Sequence, residues 1–274
     1  MFARLSLILK AARQLGLPSL SSYARYQAGL RSGFYLRMTS APPQEPAGPF
    51  HPILELPSRP ILSAVLGEHT SLLVEEADEI VQGKARFFGN EAISLQLAPA
   101  GKLAHWTAYE RGKKVSGLTD IKFLWEPARF GWAFTLGRAY LLTENETYPQ
   151  TFWKQAEIFL ATNPTYQGPN WSSGQEVALR LIAFVFALQA FAPSPQTTAE
   201  RMTRLIQAIA AHAARISPTL VYARAQNNNH LLTEAAGLYT AGLALPEHPS
   251  ARHWQQLGWR MFNQAIREQI SSDG

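Results

Sequence analysis

The polar run QNNNH at residues 226–230 is the stretch most suggestive of chemistry, because it stands directly before the apolar run LLTEAAGLYTAGL. Asparagine is a poor helix former, and one asparagine is enough to cap a helix. The other two amides therefore indicate a further purpose. His230 and Glu234 are four residues apart, so the carboxyl group could orient or pair with the imidazole. A histidine at the solvated start of a helix favours proton transfer or neutralisation of a carboxylate.

The sequence lacks the residues or motifs that metal sites, thiol and serine nucleophiles, and phosphate-binding loops require. His230 and Glu234 would be two metal ligands without a third, so we predict no metal site. The chain has no cysteine, which excludes a thiol nucleophile, a disulfide and a cysteine zinc site. It also has no G-x-S-x-G elbow and no glycine-rich phosphate loop, and we predict no cofactor.

A second constellation lies in DIKFLWEPAR, residues 120–129. Helical spacing would place four side chains on one face, namely Lys122, Trp125, Glu126 and Arg129. An indole beside two cations and a carboxylate suits an acidic sugar, which can stack on the ring and meet the cations through its anionic groups. The structural alternative is a Glu126–Arg129 ion pair beside a core tryptophan. The proline at 127 predicts a helix start here.

A third constellation is GPNWSSGQEVALR, residues 168–180. Asn170 and Trp171 lie in a loop, where a wide tryptophan could act as a sugar platform. Glu176 and Arg180 follow on the next helix, four residues apart, and we expect them to pair. The structural alternative is that one of the two serines before the glycine caps that helix, with Glu176 near its positive end.

Composition limits what these residues can belong to. The chain has 274 residues, 46% of them hydrophobic, with 25 basic and 20 acidic residues and a net charge of +5. This content is enough for a sizeable core and excludes a disordered chain. Residues 1–44 hold six basic residues and no acidic one, so the rest of the chain carries a net charge of −1. A nucleic-acid-binding core is therefore excluded, because it would need a basic folded face.

The N-terminal elements differ from the rest. We predict a basic amphipathic helical arm over 1–40, packed on the body or in peripheral contact with a membrane, and a Pro-rich linker over 41–69. No run is long and apolar enough to predict a transmembrane helix. Residues 70–118 read as a helix ending near Gly83, followed by three strand-like segments, ARFFG, AISLQLA and AHWTAYE.

From residue 119 onward the chain reads as helical hairpins. The predicted helices are 120–142, 148–162, 174–192, 197–215, 228–243 and 250–270, with short connections that suit antiparallel pairs. No tight sequence repeat accompanies them, which disfavours a solenoid. The predicted fold class is mainly α, with a small β-containing N-terminal insert.

Three stretches in this order resemble the heparinase II/III family of bacterial polysaccharide lyases: DIKFLWEPARFGWAFTLGRAYLLT, NPTYQGPNWSSGQEVALRLIAF and NNNHLLTEAAGLYTAGLAL. The segment ADEIVQGKARFFG and Trp106 look like the family's lead-in. The resemblance covers roughly residues 70–274 and implies an incomplete α/α toroid at 119–274. It also implies β-elimination on an acidic, uronic-acid-containing polysaccharide such as heparan sulfate or an alginate-like polymer.

The resemblance also implies residue roles. Asn229 and His230 would neutralise or orient the uronate carboxylate, which acidifies the neighbouring C5 proton. The other matched residues would line or brace the substrate site, namely Lys122, Trp125, Glu126, Arg129, Asn170, Trp171, Glu176, Arg180, Asn228 and Glu234.

The sequence departs from the family pattern at its C-terminal end. Residues 269–274, QISSDG, resemble the stretch that precedes the family's proton-transferring tyrosine. Tyr222 and Tyr239 do not occupy that tyrosine's place. We therefore expect a toroid without its tyrosine motif and C-terminal β-sandwich, which would be supplied in the same chain or by a separate one. We expect such a chain to be inactive or weak by itself.

Two other functions stay open at this point. One is a non-catalytic helical module that holds an acidic polysaccharide or docks on an enzyme that makes it. The other is a toroid hydrolase with paired carboxylates, for which Glu126 and Glu176 are candidates. The resemblance points to the bacterial cell envelope or periplasm. The N-terminus carries no clear signal peptide, which leaves a cytoplasmic location open.

Overall fold

The structure, a computed structural model, describes the backbone of residues 2–89, 91–115 and 117–271, and side chains within those ranges from residue 16 onward. The predicted amphipathic face around Leu5 and Ile8 falls where side chains are not described. Residues 272–274 of the predicted QISSDG resemblance lie outside the described residues.

The N-terminal part is more helical than the pattern predicts. Its helices are α1 (Phe2–Arg31), α2 (Phe34–Met38), α3 (Arg59–Leu66), α4 (Thr70–Val81) and α5 (Trp106–Glu110). Helix α1 is broken at Gly16, which has a φ of 75° and is followed by Pro18. The range predicted as linker contains α3, which tolerates Pro60 because the proline stands in its first turn.

One small sheet lies between α4 and α5. Strands β1 (Lys84–Arg86) and β2 (Ala92–Ser94) pair antiparallel, with Ala85 opposite Ile93. The third predicted strand, AHWTAYE, is wrong, because this segment forms helix α5. His105 starts that helix by accepting a hydrogen bond from the Thr107 N–H, and Trp106 is fully buried at its first position.

Eight α-helices follow within residues 117–271. They are α6 (Lys122–Ala128), α7 (Trp132–Thr143), α8 (Thr147–Thr162), α9 (Gly174–Ala190), α10 (Ala199–Ile216), α11 (Leu220–Gln226), α12 (Asn229–Ala244) and α13 (Ala251–Gln269). Short 3₁₀ helices lie at Gly67–His69, Pro169–Trp171 and Ser217–Thr219. The short connections make α7–α8, α9–α10 and α12–α13 antiparallel hairpins. The predicted mainly α fold is thereby confirmed.

The predicted helix over 120–142 is two helices. They meet at Phe130, whose backbone has a left-handed φ of 61° and whose ring is fully buried. Pro127 lies near the end of α6 rather than at its start, which corrects the prediction. The stretch held enough apolar spacing for one helix, but packing of the Phe130 ring against Trp132 and Phe184 fixes the break.

Helix α9 is the centre of this arrangement. Thirteen of its 17 residues are buried, and it packs against α7, α10 and α12. A helix buried on nearly all sides belongs inside the protein rather than at its surface. Helices α1 and α2 also join the core, through buried Tyr26, Leu30 and Tyr35. The N-terminus of α9 is therefore fixed from several directions, and the predicted residues converge there.

No helix within the described ranges combines the length and the apolar character needed to cross a bilayer.

Candidate functional site

A cavity of about 140 Å³ lies at the N-terminus of α9 and is walled by α1, α5, α6, α10, α11 and α12. We call it the candidate cavity. The chemically active side chains that line it are Tyr26, Glu110, Trp125, Arg215, Tyr222, His230 and Glu234. It unites residues from all three predicted constellations, which are far apart in sequence.

The three asparagines before His230 have three different positions. Asn227 ends α11 in the left-handed region, with a φ of 47°, a conformation that asparagine tolerates well. Asn228 is the N-cap of α12, and its Oδ1 accepts a hydrogen bond of 3.0 Å from the His230 N–H. Asn229 is exposed at the first position of α12. Its side-chain amide is the one that neither terminates nor caps a helix.

His230 is half-buried at the candidate cavity. Burial lowers the pKa of its imidazole, against a smaller opposing effect of the Glu176 charge. The ring is therefore neutral near neutral pH, the form that can accept a proton. The predicted His230–Glu234 pair is wrong, because the described structure contains no hydrogen bond or ion pair between them.

Glu234 is a buried carboxyl group, only 3% exposed. Its carboxyl lies against Gly174, where a Cβ atom would come within 2.6 Å of both carboxyl oxygens. Its Oε2 has no hydrogen-bond partner among the described residues. Burial, with a smaller contribution from Glu110 and against the Arg215 charge, raises the pKa of Glu234 to about 8. The group is therefore protonated at neutral pH and can donate a hydrogen bond.

Four of the chemically active side chains in the candidate cavity, Tyr26, Glu110, Arg215 and Tyr222, were not predicted as site residues. Tyr26 donates a hydrogen bond of 2.7 Å to Glu110 Oε2, and its ring stacks on Tyr222 with centroids 4.3 Å apart. Burial, and then the Glu110 charge, raise the pKa of both tyrosines, so both are neutral phenols. Fully buried Arg215 supplies the cation. Their positions, 26, 110, 215 and 222, share no spacing signal that links them.

Arg215 is held without a carboxylate ion pair in the described structure. Its guanidinium donates to the carbonyl oxygens of Trp171 and Ser172 at 3.0 and 2.7 Å, and to Thr219 Oγ1 at 2.7 Å. It also lies 3.4 Å from the centre of the Trp106 ring. A buried cation that is hydrogen-bonded at all three nitrogens but not paired with a carboxylate gives the candidate cavity a positive wall.

Helix α6 contributes a ring and an exposed cation. Trp125 is half-buried, lines the candidate cavity and donates from Nε1 to the Pro169 carbonyl oxygen at 3.1 Å. Lys122 is exposed at the first position of α6. The indole that borders the cavity is thus Trp125.

The other predicted indole, Trp171, is only 2% exposed. Its ring is enclosed between Tyr166 and His212, with centroids 5.4 and 4.5 Å away. The prediction of a sugar platform at Trp171 is therefore wrong, because the loop folds inward. Asn170 is also fully buried, and it donates from Nδ2 to Asn163 Oδ1 at 2.8 Å.

Arg129 links the second and third predicted constellations. It donates to Glu176 through two hydrogen bonds, from Nε to Oε2 at 2.6 Å and from NH2 to Oε1 at 2.9 Å, and it also pairs with Glu126. Hydrogen bonding to Glu176 raises the pKa of Arg129. Both carboxylates of the hydrolase alternative are thus occupied by one guanidinium, which favours a bracing role for all three.

The predicted Glu176–Arg180 pair is wrong. Fully buried Arg180 donates instead to His212 Nε2 at 2.8 Å and to the carbonyl oxygens of Ala128 and Asn170 at 2.9 and 2.7 Å. Burial lowers its pKa to about 9, so it stays charged at neutral pH. The guanidinium ties α6, α9, α10 and the loop at Asn170 together, and Glu176 is left to Arg129.

No group of three or more potential metal-ligating His, Asp or Glu side chains occurs in the described part of the chain.

Ser173 caps α9 by accepting a hydrogen bond of 3.5 Å from the Glu176 N–H, as in the structural alternative.

The chain is similar in sequence to known polysaccharide lyases. The family described as "Heparinase II/III N-terminus" matches residues 70–274. The chain is 30% identical over 175 residues to a heparin-sulfate lyase of Bacteroides stercoris. This match covers 57% of this chain and 26% of that protein. It is 28% identical over 149 residues to a heparin-sulfate lyase of Bacteroides thetaiotaomicron, covering 53% of this chain and 21% of that protein.

Two solved structures have a similar fold. The heparan sulfate lyase HepC from Pedobacter heparinus matches with a TM-score of 0.58 and 18% identity, over 95% of this chain and 38% of that chain. A heparinase III with methylated lysines matches with a TM-score of 0.60 and 19% identity, over 95% of this chain and 40% of that chain. The matches confirm the incomplete α/α toroid of antiparallel hairpins. The chain spans about a quarter of the matched curated relatives and about two fifths of these structures.

Proposed function

This chain belongs to the heparinase II/III family, and we propose that it forms the N-terminal helical part of a polysaccharide lyase that cleaves a uronic-acid-containing polymer by β-elimination. The observation that carries the proposal is the family match over residues 70–274. The convergence of His230, Trp125 and Arg215 on one cavity supports it from the geometry. Asn229 is not a lining residue of this cavity, and it is exposed directly before His230.

The proposed chemistry begins at the uronate carboxylate. Removal of the C5 proton puts negative charge onto the carboxyl group, so donors that bind this group more tightly in the transition state accelerate the reaction. In the proposal, the free amide of Asn229 donates to the carboxylate, and neutral His230 orients it. Arg215 adds a fixed positive charge behind them.

The remaining predicted residues divide into two groups in this proposal. Trp125 and Lys122 contact the polymer, the indole by stacking on a sugar ring and the ammonium by pairing with an anionic group. Asn228 caps the helix that carries His230, and Glu234 donates a hydrogen bond into the cavity. A bracing set holds these elements in place, namely Glu126, Arg129, Asn170, Trp171, Glu176 and Arg180.

The proposal extends to location and partners. The matched curated relatives are bacterial lyases, which supports an enzyme of the cell envelope or periplasm. The solved lyases are more than twice as long as the part that this chain matches, which supports joint action with a further domain, the β-sandwich of the sequence-based prediction.

The test is an elimination assay on the product of the full reading frame. Each β-elimination creates a C4–C5 double bond conjugated to the carboxylate, which absorbs in the ultraviolet. We expect absorbance to rise with heparan sulfate or alginate and not with neutral dextran. His230→Ala and Asn229→Ala should each lower kcat/KM about 10²-fold, the scale of one lost transition-state group.

His69→Ala is the matched control, since His69 is exposed on the 3₁₀ helix before α4 and should leave the rate unchanged. Full activity in His230→Ala and Asn229→Ala would refute the site. Binding of the acidic polymers without any absorbance change would refute the lyase and favour the non-catalytic module.

A further inference from the structure

A second and larger concavity lies on the other side of α11. It has a volume of about 890 Å³ and is bordered by α1, α2, α11 and α13. We call it the basic groove. Val221 and Arg224 of α11 line the basic groove, whereas Tyr222 and Gln226 of the same helix line the candidate cavity. Helix α11 therefore separates two distinct concavities.

His248 places an unused hydrogen-bond donor in the basic groove. Its side chain is 5% exposed and stacks on Trp254, with ring centroids 4.3 Å apart. Its Nδ1 accepts a hydrogen bond of 3.0 Å from the Ser250 N–H, so in the neutral ring the proton is on Nε2. That Nε2 is buried and has no partner among the described residues. A buried unpaired donor costs free energy.

The charges around the basic groove favour an anion. Arg25, Arg224 and Arg260 line it and are exposed, and the structure as described contains no ion pair from any of them. Glu45 is the one acidic residue among the described lining residues. The first turn of α13, a helix of 19 residues, also faces the groove without an acidic residue or a side-chain cap. The uncapped helix start adds to the positive potential.

The groove combines this charge with apolar surface. Phe34 and Met38 of α2 line it with exposed fractions of 47% and 53%, and Leu257 and Met261 of α13 lie in the same groove. Sugar rings have apolar faces that stack on aromatic rings, while their carboxylate or sulfate groups bind arginine. An acidic protein segment would use the charge but has no particular need for an exposed phenyl ring.

We propose that the basic groove is a second binding site for an acidic oligosaccharide segment. The carboxylate or sulfate groups contact Arg224 and Arg260, and a sugar ring stacks on Phe34. The ligand class rests on the proposed function, whereas the site itself rests on the groove. Because α11 separates the two sites, the groove would hold a part of the polymer that is not being cleaved.

The test measures binding by fluorescence anisotropy with two labelled probes, a heparin hexasaccharide and an unsulfated galacturonate hexamer. We expect Arg224→Gln with Arg260→Gln to weaken binding about tenfold or more, since the loss of one charge-assisted hydrogen bond alone accounts for roughly tenfold. Weaker binding of both probes identifies the carboxylate as the recognised group. Weaker binding of heparin alone identifies the sulfate.

The matched control is Arg252→Gln with Arg267→Gln. It removes the same charge from exposed positions of α13 outside the groove, and should change affinity less than twofold. His230→Ala should keep the groove affinity, so binding persists even where the elimination assay fails. Equal affinity in the two double variants, or loss of all binding in His230→Ala, would overturn the proposal. A polyglutamate peptide that binds as tightly as heparin and depends on the same two arginines would also overturn it.

Discussion

Glu234 is a carboxyl group that the fold keeps in its uncommon, protonated form. Its oxygens lie against Gly174 at the start of α9, and burial raises its pKa to about 8. In the unfolded chain an ordinary glutamate has a pKa of about 4.3. Between these two pH values the folded protein keeps a proton that the unfolded chain releases. The free energy of unfolding therefore falls as pH rises through this window, and levels off above about 8.

We predict that Glu234→Gln removes this pH dependence. The amide has the same shape and is neutral at every pH. The variant should gain roughly 2–4 kcal/mol in free energy of unfolding relative to the wild type between pH 5 and pH 8. Urea unfolding of the variant and the wild type at pH 5, 6, 7 and 8 measures this difference in the free energy of unfolding. Glu200→Gln, an exposed position on α10, is the control and should show a constant difference. A constant difference for Glu234→Gln as well would mean that the folded carboxyl is already ionised.

The α12–α13 hairpin, whose first helix carries His230, depends on a close approach of two backbones. At Gly258 of α13, an added Cβ atom would lie 2.7 Å from both the Ala235 carbonyl oxygen and the Tyr239 nitrogen of α12. Backbone atoms inside a packed helix cannot move away as the end of a side chain can. Gly258 therefore sets the distance between these helices.

We predict that Gly258→Ala lowers the free energy of unfolding by about 1–3 kcal/mol, because α13 must shift away from α12. Gly131→Ala is the matched control. Gly131 has a φ of −56° and no atom within 4 Å of an added Cβ, so alanine there should be neutral or stabilising by up to ~1 kcal/mol. Thermal and urea unfolding of both variants decide the question. Equal stability of the two would show that the hairpin tolerates a wider spacing.

At the scale of the whole molecule, the N-terminal helices are part of the folded body. Tyr26, Leu30 and Tyr35 are buried in the main core, although they precede the family match at residue 70. Thr39, just after α2, accepts a hydrogen bond of 2.9 Å from Trp106 Nε1. Tyr26 also walls the candidate cavity, so this segment contributes to stability and to the site together.

We predict that a chain beginning at residue 70 unfolds more easily by roughly 5 kcal/mol, the value of about three buried apolar side chains. It should also expose Trp106, which tryptophan fluorescence would report as a red shift. In the full chain, Tyr35→Ala should reproduce part of the loss, whereas Tyr23→Ala, at a 48% exposed position, should not. An undiminished melting temperature for the shortened chain would refute the structural role of α1 and α2.

Sequence patterns were sufficient where the interactions are local. The six predicted hairpin helices correspond to observed helices within a few residues, apart from the break at Phe130, because helical spacing and caps act over one or two turns. Local capping rules also account for Asn228 and Ser173, which are the N-caps of α12 and α9. The family resemblance and the mainly α fold followed from the same local stretches.

Only the tertiary structure decided which residues meet. Arg129 binds Glu176 across 47 positions, Arg180 binds His212 rather than its helical neighbour, and Tyr26 stacks on Tyr222 from the opposite end of the chain. The sequence also could not show whether a tryptophan faces the cavity or the core: Trp125 of α6 borders the cavity, whereas Trp171 is buried. The physical reason is that spacing along a helix specifies a face, whereas a partner on another helix is chosen by packing of the whole core.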